Sequence, residues 1–154
     1  MTWARVLVML HAAAAIVLIG AATHHAIIAW GYVRGRWKVR LGRIYAATVA
    51  GAYGATFGLG LLAYPTFRYQ VRALVLDRSE PWASNLFDTK ENFAALGLPL
   101  VAIALGLCRS IGPDLEATGE RGLVWAYAAC VWLVAAVVWF AVFSGLAITL
   151  TRGV

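Results

Sequence analysis

Four long apolar stretches alternate with short polar stretches along the chain. They cover residues 3–33, 44–64, 89–107 and 122–150. Each approaches or exceeds the roughly 20 residues that an α-helix needs to cross the ~30 Å hydrocarbon core of a bilayer. The pattern therefore predicts an all-α membrane protein, a four-transmembrane-helix bundle that forms one integral membrane domain.

The polar stretch 65–91, between the second and third apolar stretches, has a pattern of its own. Phe67, Val71 and Leu74 fall on one helical stripe. We expect a short interfacial helix here, between helices 2 and 3, lying on the membrane surface. Pro65 is expected to end helix 2.

The start of helix 3 is predicted from a capping pattern. Asp88, with Glu91 three residues later, resembles an acidic N-cap with an acid at its third position. Together with Lys90, these groups would alternatively serve proton uptake near a quinone site. Pro81 separates this start from the interfacial helix, and Pro99 is expected to kink helix 3.

The distribution of charge predicts the orientation. Five cations and no acid occupy residues 34–43, which places this segment in the cytoplasm and both termini outside. The N-terminus imitates a signal peptide, but its apolar run continues to Val33, so we expect a retained first helix. Arginine outnumbers lysine, as in GC-rich bacterial genomes, and we expect a bacterial inner membrane. The net charge of +6 is explained by topology, so no nucleic-acid partner is expected.

Composition excludes several other classes of protein. The chain is 62% hydrophobic and 13% charged, whereas a soluble domain has about 25% charged residues. Cys108 and Cys130 are expected to stay unpaired, and the absence of a CxxCH motif excludes covalent c-type haem. There is no phosphate-binding glycine loop, HExxH motif or Ser/His/Asp set, so hydrolytic catalysis is unsupported.

The three histidines all fall within the first predicted membrane helix. At 100° per residue His11 and His25 lie within about 40° of each other and roughly 21 Å apart along the axis, whereas His24 faces elsewhere. Ionisable residues inside a membrane are functional candidates by default. Neutral imidazole is also a good axial ligand for haem iron, which makes His11 and His25 candidate metal ligands.

The His-x13-His pattern in an apolar helix resembles the haem-ligating helices of the di-haem cytochrome b family of quinol-oxidising membrane complexes. The resemblance covers one helix of four and implies b-haem ligated by His11 and His25. The family has a second such helix, which this chain lacks. The missing ligands would come from a parallel homodimer or another subunit, or the haem would be five-coordinate. His24 would replace His25 if the helix were rotated.

Other residues fit this hypothesis, and each has a simpler alternative. Arg68 and Arg72, one turn apart at the outer surface, would hold haem propionates or lipid phosphates. The small-residue faces of helix 2, including Gly51, Gly54 and Gly58, would leave room for a flat macrocycle or pack on another helix. The histidines themselves would otherwise hydrogen-bond to neighbouring helices.

The sequence thus leaves three functional hypotheses open. The first is a b-haem protein or subunit that relays electrons between a quinone pool and an outer-face acceptor, with haem b and quinone as cofactors. The second is a cofactor-free accessory subunit of a larger membrane complex, which packs through its small-residue faces and its stripe of Trp125, Trp132 and Trp139. The third is a small proton or metal transporter. Membrane lipids and a second copy or other membrane subunits are the expected partners.

Overall fold

Four long helices make up most of the protein. The computed structural model describes residues 3–111 and 121–150. The helices are α1 (Trp3–Val33), α2 (Val39–Phe67), α3 (Pro81–Ser110) and α4 (Arg121–Leu150). All four are long and apolar enough to cross a membrane, and no strand occurs in the described ranges, so the prediction of an all-helical chain with four such helices is confirmed.

The helices form a ring in chain order. Among the described residues, α1 packs on α2 and α4, α3 packs on the same two helices, and no close backbone approach crosses either diagonal. One buried cluster joins the ends of α1 and α3 to the starts of α2 and α4, so successive helices run in opposite directions. Buried side chains from all four fill the centre in two clusters, one around Tyr127 and one around Tyr53.

A tight turn joins α1 to α2. Gly35 has φ +73°, a left-handed conformation that glycine adopts without steric cost. Its N–H donates to the Tyr32 carbonyl, and the Arg36 N–H donates to the Gly31 carbonyl. This pair of bonds is a Schellman cap, which reverses the chain in few residues. As a result α2 begins at Val39 rather than at the predicted residue 44.

The end of α2 differs from the prediction. Pro65 lies inside α2, and the chain continues as a π-helical segment (Arg68–Leu76) and a single α-turn (Asp77–Ser79). The separate interfacial helix predicted for this region is therefore not observed. Packing explains the continuation, because the π-helical segment buries Leu76 against Phe87 of α3.

The start of α3 was also predicted incorrectly. The helix breaks at Glu80 (φ −138°, ψ 64°) and restarts with Pro81, eight residues before the predicted start at residue 89. Proline suits the first helical position because its fixed φ matches the helix and its missing N–H has no partner there in any case. Asp88 is consequently inside α3 and does not cap it.

Candidate functional site: a cavity inside the bundle

A cavity of about 240 Å³ lies between the four helices, at the end of the bundle where α1 begins. Every helix contributes to its wall, which is predominantly apolar. Leu61 of α2 and Glu91 of α3 line it and also remain substantially exposed, which places an opening between these two helices. The lining side chains with polar groups are His11, Tyr53, Thr56, Lys90 and Glu91.

His11 lines this cavity and is held by a hydrogen bond from α1 to α2. Its Nδ1 donates to the Thr56 carbonyl at 2.9 Å. Since a carbonyl oxygen can only accept, Nδ1 carries a proton. Gly60 lies beside the ring, and a Cβ there would be 3.4 Å from His11 Cε1, an ordinary contact distance. The cavity wall therefore contains an imidazole whose position is fixed by a neighbouring helix.

A pair of opposite charges lies on the α3 side of the cavity. Lys90 Nζ is 3.4 Å from Glu91 Oε1, and it also lies 4.5 Å from the centre of the Phe87 ring. Both side chains are partly exposed. The pair thus combines a proton acceptor and a cation with access to the outside of the bundle.

Arg72 of the π-helical segment forms an ion pair with Asp88 of α3. Its Nη1 and Nη2 donate to the two Asp88 carboxylate oxygens at 2.6 and 2.8 Å. Asp77 lies 3.6 Å from Arg72 Nε and accepts a hydrogen bond from Ser84. Arg72 is therefore engaged within the protein, whereas Arg68 is exposed and forms no ion pair with the described residues.

His25 has a different environment from His11. Its side chain is 3% exposed, and Nε2 lies 2.6 Å from the hydroxyl of Tyr127, a short hydrogen bond. The two rings also pack edge to face, and Cys108 is buried in the same cluster. The nitrogen that would ligate iron is thus already occupied by Tyr127.

His24 is exposed, on a different face of α1 from His11 and His25. Its Nδ1 donates to the Gly20 carbonyl at 2.8 Å, and its ring stacks on Tyr45 of α2. The side chain is exposed and does not line the cavity. His11, His24 and His25 are therefore in three separate environments.

The glycines that create space are not those singled out from the sequence. At Gly51, Gly54 and Gly58 an added Cβ would have no atom of the described residues within 4 Å. By contrast, a Cβ at Gly42 would overlap the Tyr32 hydroxyl, and one at Gly97 would overlap the Tyr53 hydroxyl. In the pair of Gly97 and Tyr53, the Tyr53 hydroxyl donates to the Ala94 carbonyl at 2.8 Å. Sequence spacing contains no signal for these pairs, because each joins two helices.

The prediction that His11 and His25 ligate b-haem stays a prediction, because any second ligand would lie outside this chain. The cavity beside His11 is smaller than the ~300–1,000 Å³ typical of pockets for drug-sized ligands. His25 is buried, and its Nε2 lies 2.6 Å from the Tyr127 hydroxyl. In the described parts of the chain, no three His, Cys, Asp or Glu side chains are placed to hold a metal ion.

Comparison with protein-family models, with curated proteins and with solved structures finds no match for this chain.

Proposed function

We propose that this protein is an integral membrane protein that binds the head group of a membrane quinol, as a subunit of an electron-transfer complex. The observation that carries the proposal is His11, which lines a predominantly apolar cavity between the four helices and whose Nδ1 is bonded to the Thr56 carbonyl. A quinol ring has an apolar body and two hydroxyl donors. One of these hydroxyls would donate to His11 Nε2.

The dimensions of the cavity support a ligand head rather than a whole ligand. A cavity of about 240 Å³ accommodates a single substituted ring, whereas the long apolar tail of a quinol would leave through the opening between α2 and α3 into the lipid. The Lys90–Glu91 pair is on that side. Glu91 is placed to accept a proton from the head group and exchange it with the surroundings.

The charge distribution supports one orientation of this site. The cations of residues 34–43 lie at the end of the bundle opposite the cavity. The positive-inside rule would place that end in the cytoplasm, so the cavity would open near the outer face of a bacterial inner membrane.

The haem hypothesis stays a prediction that requires either ligands from another chain or a five-coordinate haem. Its test is a visible spectrum of the pure protein: a reduced b-type α-band, lost in His11→Ala, would support it. A colourless protein that still binds quinol would favour the present proposal over haem relay.

The binding experiment uses the full chain in lipid nanodiscs and a short-tailed benzoquinol, followed by isothermal titration calorimetry. His11→Ala removes one hydrogen bond and should weaken binding about two- to tenfold. Ala141→Phe fills the cavity from α4 and should abolish binding. The matched controls are His24→Ala and Ala12→Phe, which change exposed residues outside the cavity and should bind as the native chain does.

Each outcome distinguishes the proposal from its rivals. No measurable quinol binding by the native chain would contradict the proposal and favour a cofactor-free accessory subunit. Binding that survives Ala141→Phe would place the site elsewhere. Proton flux in liposomes that depends on His11, without quinol binding, would favour a transporter.

A further inference from the structure

A second apolar recess runs along the outside of the bundle, between α1 and α4. It is an open groove of about 480 Å³. Its lining combines small residues with three indole rings. The groove residues are Thr23, Ala26, Ile27, Trp30, Trp132, Ala135, Ala136 and Trp139.

The polar atoms of two indoles along the groove are already satisfied within the protein. Trp132 Nε1 donates to the Ala26 carbonyl at 3.2 Å, and Trp139 Nε1 donates to Thr23 Oγ1 at 3.1 Å. These indoles therefore present carbon surface to whatever lies in the groove. Such a lining favours a hydrocarbon chain over a polar ligand.

Two cations lie on the side of the groove where α1 ends and α4 begins. The Arg34 guanidinium lies 4.7 Å from the centre of the Trp30 ring, which lines the groove. Arg121 is exposed at the start of α4, one helical turn before Trp125, whose ring contacts Trp132. Neither arginine forms an ion pair with a carboxylate of residues 3–111 or 121–150. The three acids of residues 112–120 lie outside the part of the chain that the structure describes.

The distance from the far end of the groove to Arg34 is close to the depth of one membrane leaflet. The groove residues of α1 run from Thr23 to Trp30, about 10 Å along the axis, and Arg34, in the turn directly after α1, is eleven residues from Thr23, about 16 Å at the helical rise. Half of a ~30 Å hydrocarbon core is about 15 Å. A phospholipid whose head group lies at the arginines would thus extend an acyl chain to the far end of the groove.

We propose that this groove binds an anionic phospholipid, with an acyl chain along the indoles and the phosphate between Arg34 and Arg121. The site is separate from the quinol cavity and does not depend on it. Basic residues at a helix end next to the membrane attract anionic head groups, with a contribution of about fivefold in affinity per cation.

The test is native mass spectrometry of the full chain released from nanodiscs that contain equal parts of phosphatidylcholine and phosphatidylglycerol. The native chain should retain the anionic lipid in preference, and this preference should decrease as salt concentration rises. Arg34→Gln with Arg121→Gln should reduce it by up to about 25-fold, and the corresponding lysine variants should restore most of it. Ala136→Phe should reduce retention of both lipids by filling the groove.

Matched controls make the result specific. Arg68→Gln with Arg78→Gln removes two exposed cations at the opposite end, and Ala102→Phe enlarges an exposed residue of α3 outside the groove. Both should retain lipid as the native chain does. Equal retention of the two lipids by the native chain would overturn the proposal. So would equal losses in the groove variants and the controls, or a second copy of the chain cross-linked along the groove.

Discussion

Replacing Gly42 with alanine should destabilise the bundle, whereas the same change at Gly51 on the same helix should not. A Cβ at Gly42 would overlap the Tyr32 hydroxyl and would lie 3.1 Å from Tyr32 Cζ. No atom of the described residues lies within 4 Å of a Cβ at Gly51. Gly51 lies in the interior of α2 and Gly42 in its first turn, so the double-mutant cycle with Tyr32, together with the comparison with Gly51, isolates the contact with Tyr32.

The size of this difference follows from two opposing effects. Alanine in place of glycine stabilises a helix interior by about 0.5–1 kcal/mol. Overpacking a filled core costs about 1–3 kcal/mol. Gly51→Ala should therefore raise the free energy of unfolding by up to about 1 kcal/mol. The free energy of unfolding of Gly42→Ala should be about 1–3 kcal/mol lower than that of Gly51→Ala.

Removing the tyrosine hydroxyl should reverse the effect. Tyr32 Oη is buried and has no hydrogen-bond partner among the described residues. Tyr32→Phe alone should therefore cost nothing, and should stabilise the fold by up to about 1 kcal/mol, since an unpaired buried hydroxyl is unfavourable. In the double variant with Gly42→Ala the overlap with the hydroxyl is absent and only the 3.1 Å approach to Cζ remains, so most of the lost stability should return.

The assay is reversible unfolding in detergent micelles, followed by circular dichroism and tryptophan fluorescence for the four chains of the double-mutant cycle. The overlap at Tyr32 predicts that Gly42→Ala is less destabilising in the presence of Tyr32→Phe than in its absence. Gly42→Ala as stable as Gly51→Ala, or additive effects of Gly42→Ala and Tyr32→Phe, would refute the packing derived for the α1–α2 pair.

Two further predictions concern polar contacts. His25→Ala should lower the free energy of unfolding by about 2–4 kcal/mol, because it leaves a cavity and an unpaired tyrosine hydroxyl in the core. His24→Ala, at an exposed position, should change the free energy of unfolding by less than about 0.5 kcal/mol. Equal effects of the two variants in the same unfolding assay would contradict the finding that His25 is buried and His24 is exposed. Asp88→Asn should cost only about 0.5–1 kcal/mol, since its ion pair with Arg72 is partly exposed. It should nevertheless accelerate amide hydrogen exchange in the π-helical segment, and unchanged exchange there would show that the pair does not hold that segment.

The parts of the fold that could be predicted from the sequence are those determined by long uninterrupted runs of apolar residues. The residues of α1 form an uninterrupted apolar run that ends at a cluster of cations, and its observed range, Trp3–Val33, is the expected one. The range of α4 was predicted to within one residue for the same reason. Local capping rules failed where tertiary contacts prevailed. Asp88 has the spacing of an N-cap, yet it pairs with Arg72, sixteen residues earlier in the chain.

The site was only partly predictable. Angular position separated His24 from the other two histidines, and the structure places it on a different face. The environments of His11 and His25 could not be distinguished, because the difference depends on Thr56 of α2 and Tyr127 of α4. A periodicity argument describes one helix at a time. It does not indicate which side chain of a neighbouring helix will occupy a ring nitrogen.

The most direct test of the quinol site is the ¹⁵N spectrum of the histidine side chains, assigned with single variants. In the ligand-free protein His11 should show a protonated Nδ1 and an unprotonated Nε2. On addition of a short-tailed benzoquinol, the His11 Nε2 resonance should move towards the value of a hydrogen-bonded nitrogen, while the signals of His24 and His25 stay in place. A His11 resonance that does not respond to saturating quinol, or that starts with the opposite tautomer, would contradict the account.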